Sequence, residues 1–394
     1  MKNLIEHAEE LFEYTQSLRR DFHRHPELGF QEVRTAGIVA SELRALGLET
    51  TTGVAQTGVV ALIEGHAPGP VVLLRFDMDA LPIMEETGAE YCSENAGVMH
   101  ACGHDGHTAI GLTVAKLLHA CQSEWVGTIK LVFQPGEEGC GGAETMVKEG
   151  VLEDPRPDYS LALHLWNEMP MGMLGITSGP VMAAAESFDV TITGKGAHGA
   201  LPHEGVDPIL AASQIVSALQ SVVSRNVSPL ETGVISITAL RGGTTHNVIP
   251  QTVDLKGTIR SYKPEISELI IERFMKIVNG VAESFGCTAE VKFIDNAPAV
   301  VNNEDVTCAV NITAEKMFPG DQILSNLRTT GAEDMSFIMN EIPGCYFFVG
   351  SSDPQKGLVY GHHHPKFDFN ELAMSKAAGL MAGAALEVLK LAKK

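Results

Sequence analysis

Four short apolar runs, Gly58–Glu64, Val71–Phe76, Thr128–Phe133 and Tyr159–Leu165, restrict the fold most strongly. Each has the length of a strand and lacks the alternation of a sheet with one wet face. Helical periodicity covers about residues 2–24 and 32–46. A further helix is expected over Gly106–Ala120, with Asp105 as its N-cap. Apolar strands separated by helices predict an α/β core whose sheet is buried on both faces. A chain of 394 residues exceeds what one hydrophobic core usually organises, so a second unit is expected.

From Ala184 the order changes. Glu186–Thr193 alternates like a strand, and Asp207-Pro208 opens an amphipathic helix to about Arg225. Gly233–Leu240 and Thr252–Ser261 read as strands, Pro264 starts a helix to Phe285, and Thr288–Ile294 supplies a last strand. The order β-α-β-β-α-β is the split-βαβ arrangement of ferredoxin-like domains. Helix–strand alternation then resumes and ends in a helix from Asn370 to Ala392. The expected architecture is an α/β domain, residues 1–183 and 298–394, interrupted by an α+β domain over 184–297.

Lysine plus arginine number 28 against 49 aspartate plus glutamate, a net charge of −21 that repels phosphate backbones and anionic lipid surfaces. Nucleic acid and membrane are therefore poor partners. No apolar run approaches the roughly 20 residues a membrane span needs. The opening Met1-Lys2-Asn3-Leu4-Ile5-Glu6 turns acidic before a signal-like segment forms, which predicts a cytoplasmic chain. Seven scattered cysteines, an odd number, are unlike a disulfide framework and predict reduced thiols.

Ligands of an open α/β sheet bind outside the carboxyl ends of its strands, so the residues just beyond each run carry the most information. Asp77 and Asp79 follow the second run, and Glu137 and Glu138 follow the third after Gln134-Pro135-Gly136. His164 closes the fourth. Met99-His100-Ala101-Cys102-Gly103-His104-Asp105-Gly106-His107 precedes the helix, and Gly361-His362-His363-His364-Pro365 lies near the carboxyl end. Taken singly, a strand-end histidine is usually structural and paired glutamates are usually solvated. Together, nitrogen, sulfur and oxygen donors delivered to one sheet edge favour a metal site. With Glu138 as a ligand, Glu137 is held beside the metal as a general base for water. Thiolate and imidazole suit zinc, whereas the carboxylate admits manganese, cobalt or nickel.

The inserted segment carries Gly194-Lys195-Gly196-Ala197-His198, Thr245-His246-Asn247-Val248-Ile249-Pro250 and Gly257-Thr258-Ile259-Arg260. Arg260 alone reads as an ordinary surface charge. Beside a metal cleft, His198 and Asn247 suit contact with a developing oxyanion, and Arg260 suits a bidentate grip on a carboxylate.

These segments, with Arg19-Arg20-Asp21-Phe22-His23-Arg24-His25-Pro26-Glu27-Leu28-Gly29-Phe30, Asp77-Met78-Asp79-Ala80-Leu81-Pro82 and His363-His364-Pro365-Lys366-Phe367-Asp368, match a known family over nearly the whole chain and in order. The chain resembles the aminoacylase/carboxypeptidase G-like metallopeptidase superfamily. Within it the likeness is to the branch of hippurate hydrolases, N-acyl-amino-acid amidohydrolases and indole-acetyl-amino-acid hydrolases. The resemblance implies a two-metal catalytic domain with ligands at Cys102, His104, Glu138, His164 and His363, the thiolate bridging. His363, two residues before Pro365, matches the pattern, with His364 as the alternative. It further implies Glu137 as base, Asp79 orienting a ligand, and a homodimer through the inserted domain, whose His198 reaches the partner's site. Asn247 and Arg260 are then the substrate-binding candidates. Gly136 and Phe76 depart from the commoner alanine and small residue without removing a ligand.

The resulting expectation is hydrolysis of an N-acyl-L-amino acid to a carboxylic acid and a free amino acid. The competing readings are a dipeptidase or carboxypeptidase, an N-acetyl-diaminopimelate deacetylase using the same metals, and a catalytically silent metal-binding scaffold.

Overall fold

The computed structural model describes residues 2–391. The chain forms two compact units. One contains the residues up to Val181, Val301–Arg328 and the residues from Asp334 onward; the other contains Met182–Val300 with Thr329–Glu333.

The larger unit is built on an eight-stranded sheet. Its centre is parallel: Thr128–Gln134, Val71–Asp77, Tyr159–Pro170 and Gly344–Ser352 lie side by side in that order. Gly58–Glu64 joins Thr128–Gln134 in antiparallel register and itself pairs with Thr50–Val54. Every residue of Val71–Asp77 and Gly344–Ser352 is buried, as expected of central strands covered on both faces. The helices His104–Ala120 and Leu372–Val388 pack together. The latter also meets Lys2–Glu10 and Glu304–Met317. Leu74, Phe76, Ile110, Phe133, Leu163, Phe347 and Met381 belong to the core these elements share.

Local differences from the sequence reading have physical causes. The first helical stretch is two helices, Lys2–Glu10 and Phe12–Arg24, divided at Leu11. The helix expected from Gly106 begins at His104. Gly103 stands before it at φ 89°, a conformation that costs glycine little. Asp105 makes no cap; its carboxylate is consumed by a buried ion pair described below. His164 does not end its strand, which runs on to Pro170. The last helix spans Leu372–Val388, and its predicted end at Ala392 lies outside the described residues.

The smaller unit has a four-stranded antiparallel sheet in the order Gly233–Gly242, Thr252–Ser261, Ala184–Thr193, Thr288–Ala297. Helices Pro208–Asn226 and Pro264–Ser284 pack on each other and on this sheet. The element order is the βαββαβ read from the sequence. Asp207 caps the first helix, accepting from the Ile209 and Leu210 amides at 2.9 and 3.4 Å, while Pro208 occupies the first turn, where its missing N–H costs nothing. Phe188, Val190, Ile192, Leu255, Ile259, Leu219 and Phe274 form its core.

Candidate metal centre

Beyond the carboxyl ends of the central strands, donor atoms from four chain segments converge in the larger unit. Cys102, His104 and His164 place their donors within 4.8 Å of one another, and so do Cys102, Glu138 and His363. His104, Glu137 and Glu138 form a third such group. Cys102 Sγ lies 3.4 Å from His164 Nε2. His363 Nε2 lies 3.3 Å from Glu138 Oε1, and His104 Nε2 lies 4.0 Å from the same oxygen.

The His104 and His164 rings are set by what their other nitrogen binds. His104 Nδ1 faces the Asp79 carbonyl at 3.0 Å and Asp79 Oδ1 at 3.2 Å, so it keeps its proton and leaves Nε2, which has no hydrogen-bond partner among the described residues, as the nitrogen that can ligate once deprotonated. His164 Nδ1 donates to the Leu165 carbonyl at 2.7 Å, with the same result. Asp79 Oδ2 also accepts from the Glu138 amide at 2.9 Å, so one carboxylate orients both His104 and the glutamate loop. That loop turns on Gly136, at φ 62°. His363 sits at φ 64° and is anchored by its N–H to the Ala101 carbonyl at 2.8 Å. His364 is committed elsewhere: its ring stacks on Tyr360, and Nδ1 accepts from the Lys366 amide at 3.0 Å.

His104 Nε2 is buried and has no hydrogen-bond partner, and the buried Glu138 Oε1 has the His363 ring, at 3.3 Å, beside it. Imidazole nitrogens, a thiol and a carboxylate turned toward one another fit a divalent cation that displaces their protons. The electrostatics agree. Burial, then Glu138, Glu137 and Asp77, push the Cys102 thiol well above its usual range. Burial opposes charge on His104, yet Asp77, Asp79 and Glu138 overcome it and raise the ring to about 10. Burial and the neighbouring His107 and His362 hold His164 well below the usual histidine value, which keeps its nitrogen available.

His107 also lies within reach of Asp77 and His104, but both of its nitrogens are in use. Nδ1 bonds Asp77 Oδ1 at 2.6 Å, and Nε2 accepts from the Leu165 amide at 3.0 Å. Asp77 is likewise consumed, its second oxygen accepting from Arg75 Nη1 at 2.6 Å. A further buried cluster was not evident in the sequence. Arg19 binds Asp105 at 2.8 Å and Asp368 at 2.7 Å, and His23 Nδ1 meets Asp105 Oδ2 at 2.7 Å. The Arg19–Phe30 segment stands out in the sequence only for its family likeness, which gives no role to Arg19. The one signal was Arg19, Phe22 and His23 falling on one helical face.

His198, Asn247 and Arg260 belong to the smaller unit. The two-residue strand Ala197–His198 pairs with Val248–Ile249, which puts Asn247 next to His198 in space. Gly199 donates to the Asn247 carbonyl at 2.8 Å, and the exposed His198 accepts from the Ala200 amide through Nδ1 at 3.0 Å. Arg260 is half-buried on Thr252–Ser261. It donates to Thr258 Oγ1 and to the Ile259 carbonyl, and burial lowers its pKa.

Residues 73–387 match the model of peptidase family M20/M25/M40. N-acetyl-L-cysteine deacetylase of Bacillus subtilis (strain 168) is 38% identical over 372 residues, covering 94% of this chain and 87% of that protein. IAA-amino acid hydrolase ILR1-like 5 of Arabidopsis thaliana is 38% identical over 395 residues, 98% and 90% of the two chains. The crystal structure of a dinuclear metal binding peptidase of the M20 family, also from Bacillus subtilis, superposes with a TM-score of 0.84 at 34% identity, covering 97% of this chain and 99% of that one. With this match and this donor set, the chain belongs to peptidase family M20/M25/M40 and is a metal-dependent hydrolase of amide bonds.

Proposed function

We propose that this protein hydrolyses the amide bond of N-acyl-L-amino acids, releasing a carboxylic acid and a free amino acid, with two divalent ions held by Cys102, His104, Glu138, His164 and His363. The observation that carries the reading is the sharing of Cys102 between two donor sets, one with His104 and His164, the other with Glu138 and His363. A thiolate common to both sets suits a pair of ions. Manganese, zinc, cobalt and nickel all accept such ligands. His363 is preferred to His364 because its Nε2 faces Glu138.

Bound metal supplies Lewis-acid polarisation of the scissile carbonyl and makes water acidic near neutral pH. Glu137, grouped with His104 and Glu138, takes the proton of the attacking water on its carboxylate and returns it to the departing nitrogen. Asp79 keeps His104 and Glu138 in place through its two oxygens. From the smaller unit, His198 and Asn247 hold the amide oxygen and Arg260 the substrate carboxylate, a reading supported by the pairing that sets His198 beside Asn247.

Acyl amino acids are favoured as substrates because the deacetylase and the IAA-amino acid hydrolase are similar over almost the whole chain. A homodimer through the smaller unit is supported by the exposed Leu240 and Val248 there. A cytoplasmic setting is supported by seven free cysteines, and among the described residues no helix is long and apolar enough to cross a membrane.

The test is release of free amino acid from N-acetyl, N-benzoyl and indole-acetyl amino acids by chelated protein, with and without added manganese, zinc, cobalt or nickel. Metal-dependent release supports the reading. Hydrolysis of dipeptides alone would replace it with the peptidase reading, and silence toward both with metal bound would leave the scaffold.

A further inference from the structure

The central sheet splits where the metal centre begins. Val71–Asp77 stays paired with Tyr159–Pro170 only as far as Arg75 and Ala162. On its other side Tyr159–Pro170 keeps its partner through Trp166. Just beyond the split, the backbone of Leu165 is bonded by side chains. Its N–H donates to His107 Nε2 at 3.0 Å, while its carbonyl accepts from His164 Nδ1 at 2.7 Å and from His362 Nε2 at 2.9 Å.

Those bonds set the protons. His107 Nε2 is an acceptor, so Nδ1 carries the hydrogen and donates to Asp77 Oδ1 at 2.6 Å. The same two rings flank His164: His107 at 4.6 Å and 79° between planes, His362 at 4.9 Å and 83°. Gly106 permits the approach, because a Cβ there would meet Leu165 Cδ1 at 2.8 Å. The His164 ring is thus held by one hydrogen bond and by edge-to-face contacts with His107 and His362, the two closest of the rings around it, Trp166 at 5.4 Å and His104 at 6.0 Å lying further off, with Nε2 toward Cys102.

We infer that His107 and His362 are positioning residues that fix the Leu165 backbone and the His164 ring, and so keep the His164 nitrogen aimed at the metal centre. Neither is a ligand in this arrangement, although both sit in histidine-rich segments beside ligands. The inference rests on His164 being a ligand, as proposed above.

Cobalt binding to the full-length chelated protein tests it, read by chelator competition and by the visible spectrum, which reports coordination independently of turnover. His107→Phe keeps the ring volume and removes both hydrogen bonds. It is expected to remain folded, to bind cobalt about 10–100-fold more weakly and to change the ligand-field bands. His107→Gln, which can still accept from the Leu165 amide, is expected to recover most of the affinity. His362→Phe removes the other donor and should weaken binding in the same sense. It decides the matter alone if His107→Phe does not fold. Folded variants with unaltered affinity and spectrum would overturn the positioning role while leaving the metal site intact. Failure of the unsubstituted protein to bind cobalt would overturn the site itself.

Discussion

Arg19 Nε donates to Asp105 Oδ2 at 2.8 Å with both side chains sealed from solvent, directly beside His104. The guanidinium also reaches Asp368 and Glu371, so one buried cation ties helix Phe12–Arg24 to the start of helix His104–Ala120 and to the segment after His363. Arg19→Leu strands buried carboxylates and is expected to cost about 3–5 kcal/mol in denaturant unfolding. The same cluster should respond to acid. Burial pushes Glu85 up, but its bonds with His23, Thr87 and the Ser93 amide hold it down to about 2. Its contribution is therefore complete above the unfolded carboxyl value of about 4.3 and is lost as pH falls toward the folded value. Glu85→Gln should flatten the acid limb of the stability curve.

Glu137→Gln keeps the shape of the loop and removes the proton acceptor. Metal content by elemental analysis should be unchanged, and turnover should fall by about 10²–10⁴-fold. Near-normal turnover would exclude Glu137 as the base.

Metal uptake should release protons and weaken in acid. Before binding, Cys102 is held protonated by burial and its carboxylate neighbours, and His104 is raised to about 10. Both must lose protons to become ligands, so apparent affinity should climb with pH and go on climbing toward about pH 10, where His104 titrates. Calorimetry in buffers of different ionisation enthalpy measures the protons displaced; a pH-independent affinity would contradict these environments.

Gly106→Ala should strain the packing beneath the site. The added methyl would meet Phe369 Cζ at 2.7 Å and Leu165 Cδ1 at 2.8 Å, so these two buried side chains must give way. An overpacking cost of about 1–3 kcal/mol in thermal or denaturant unfolding is expected, with weaker metal binding alongside.

The elements legible in the sequence are those whose environment is uniform. Val71–Asp77 reads clearly because every residue is buried, and Pro208–Asn226 because Asp207-Pro208 is a strong start signal. Thr50–Val54 escapes notice, since its middle residues face solvent and carry no apolar pattern. The donor types and their position past the strand ends were visible. What was hidden is allocation: His104 and His107 are three residues apart in one motif, yet one offers a bare nitrogen and the other has none. Only the Leu165 amide and the Asp77 carboxylate tell them apart, and both come from other strands. The role of Arg19 was opaque for the same reason, because its three acidic partners lie far along the chain.

The donors at residues 102–104, 137–138, 164 and 363 impose an order on assembly. Cys102, His104 and His164 all lie within the first 164 residues, although the strand carrying His164 pairs with Gly344–Ser352. The second donor set stays open until the segment carrying His363 has emerged and docked against Ala101. If that set holds a metal as proposed, its capture needs residue 363, and a shortened chain ending before it would lack one of the two donor sets.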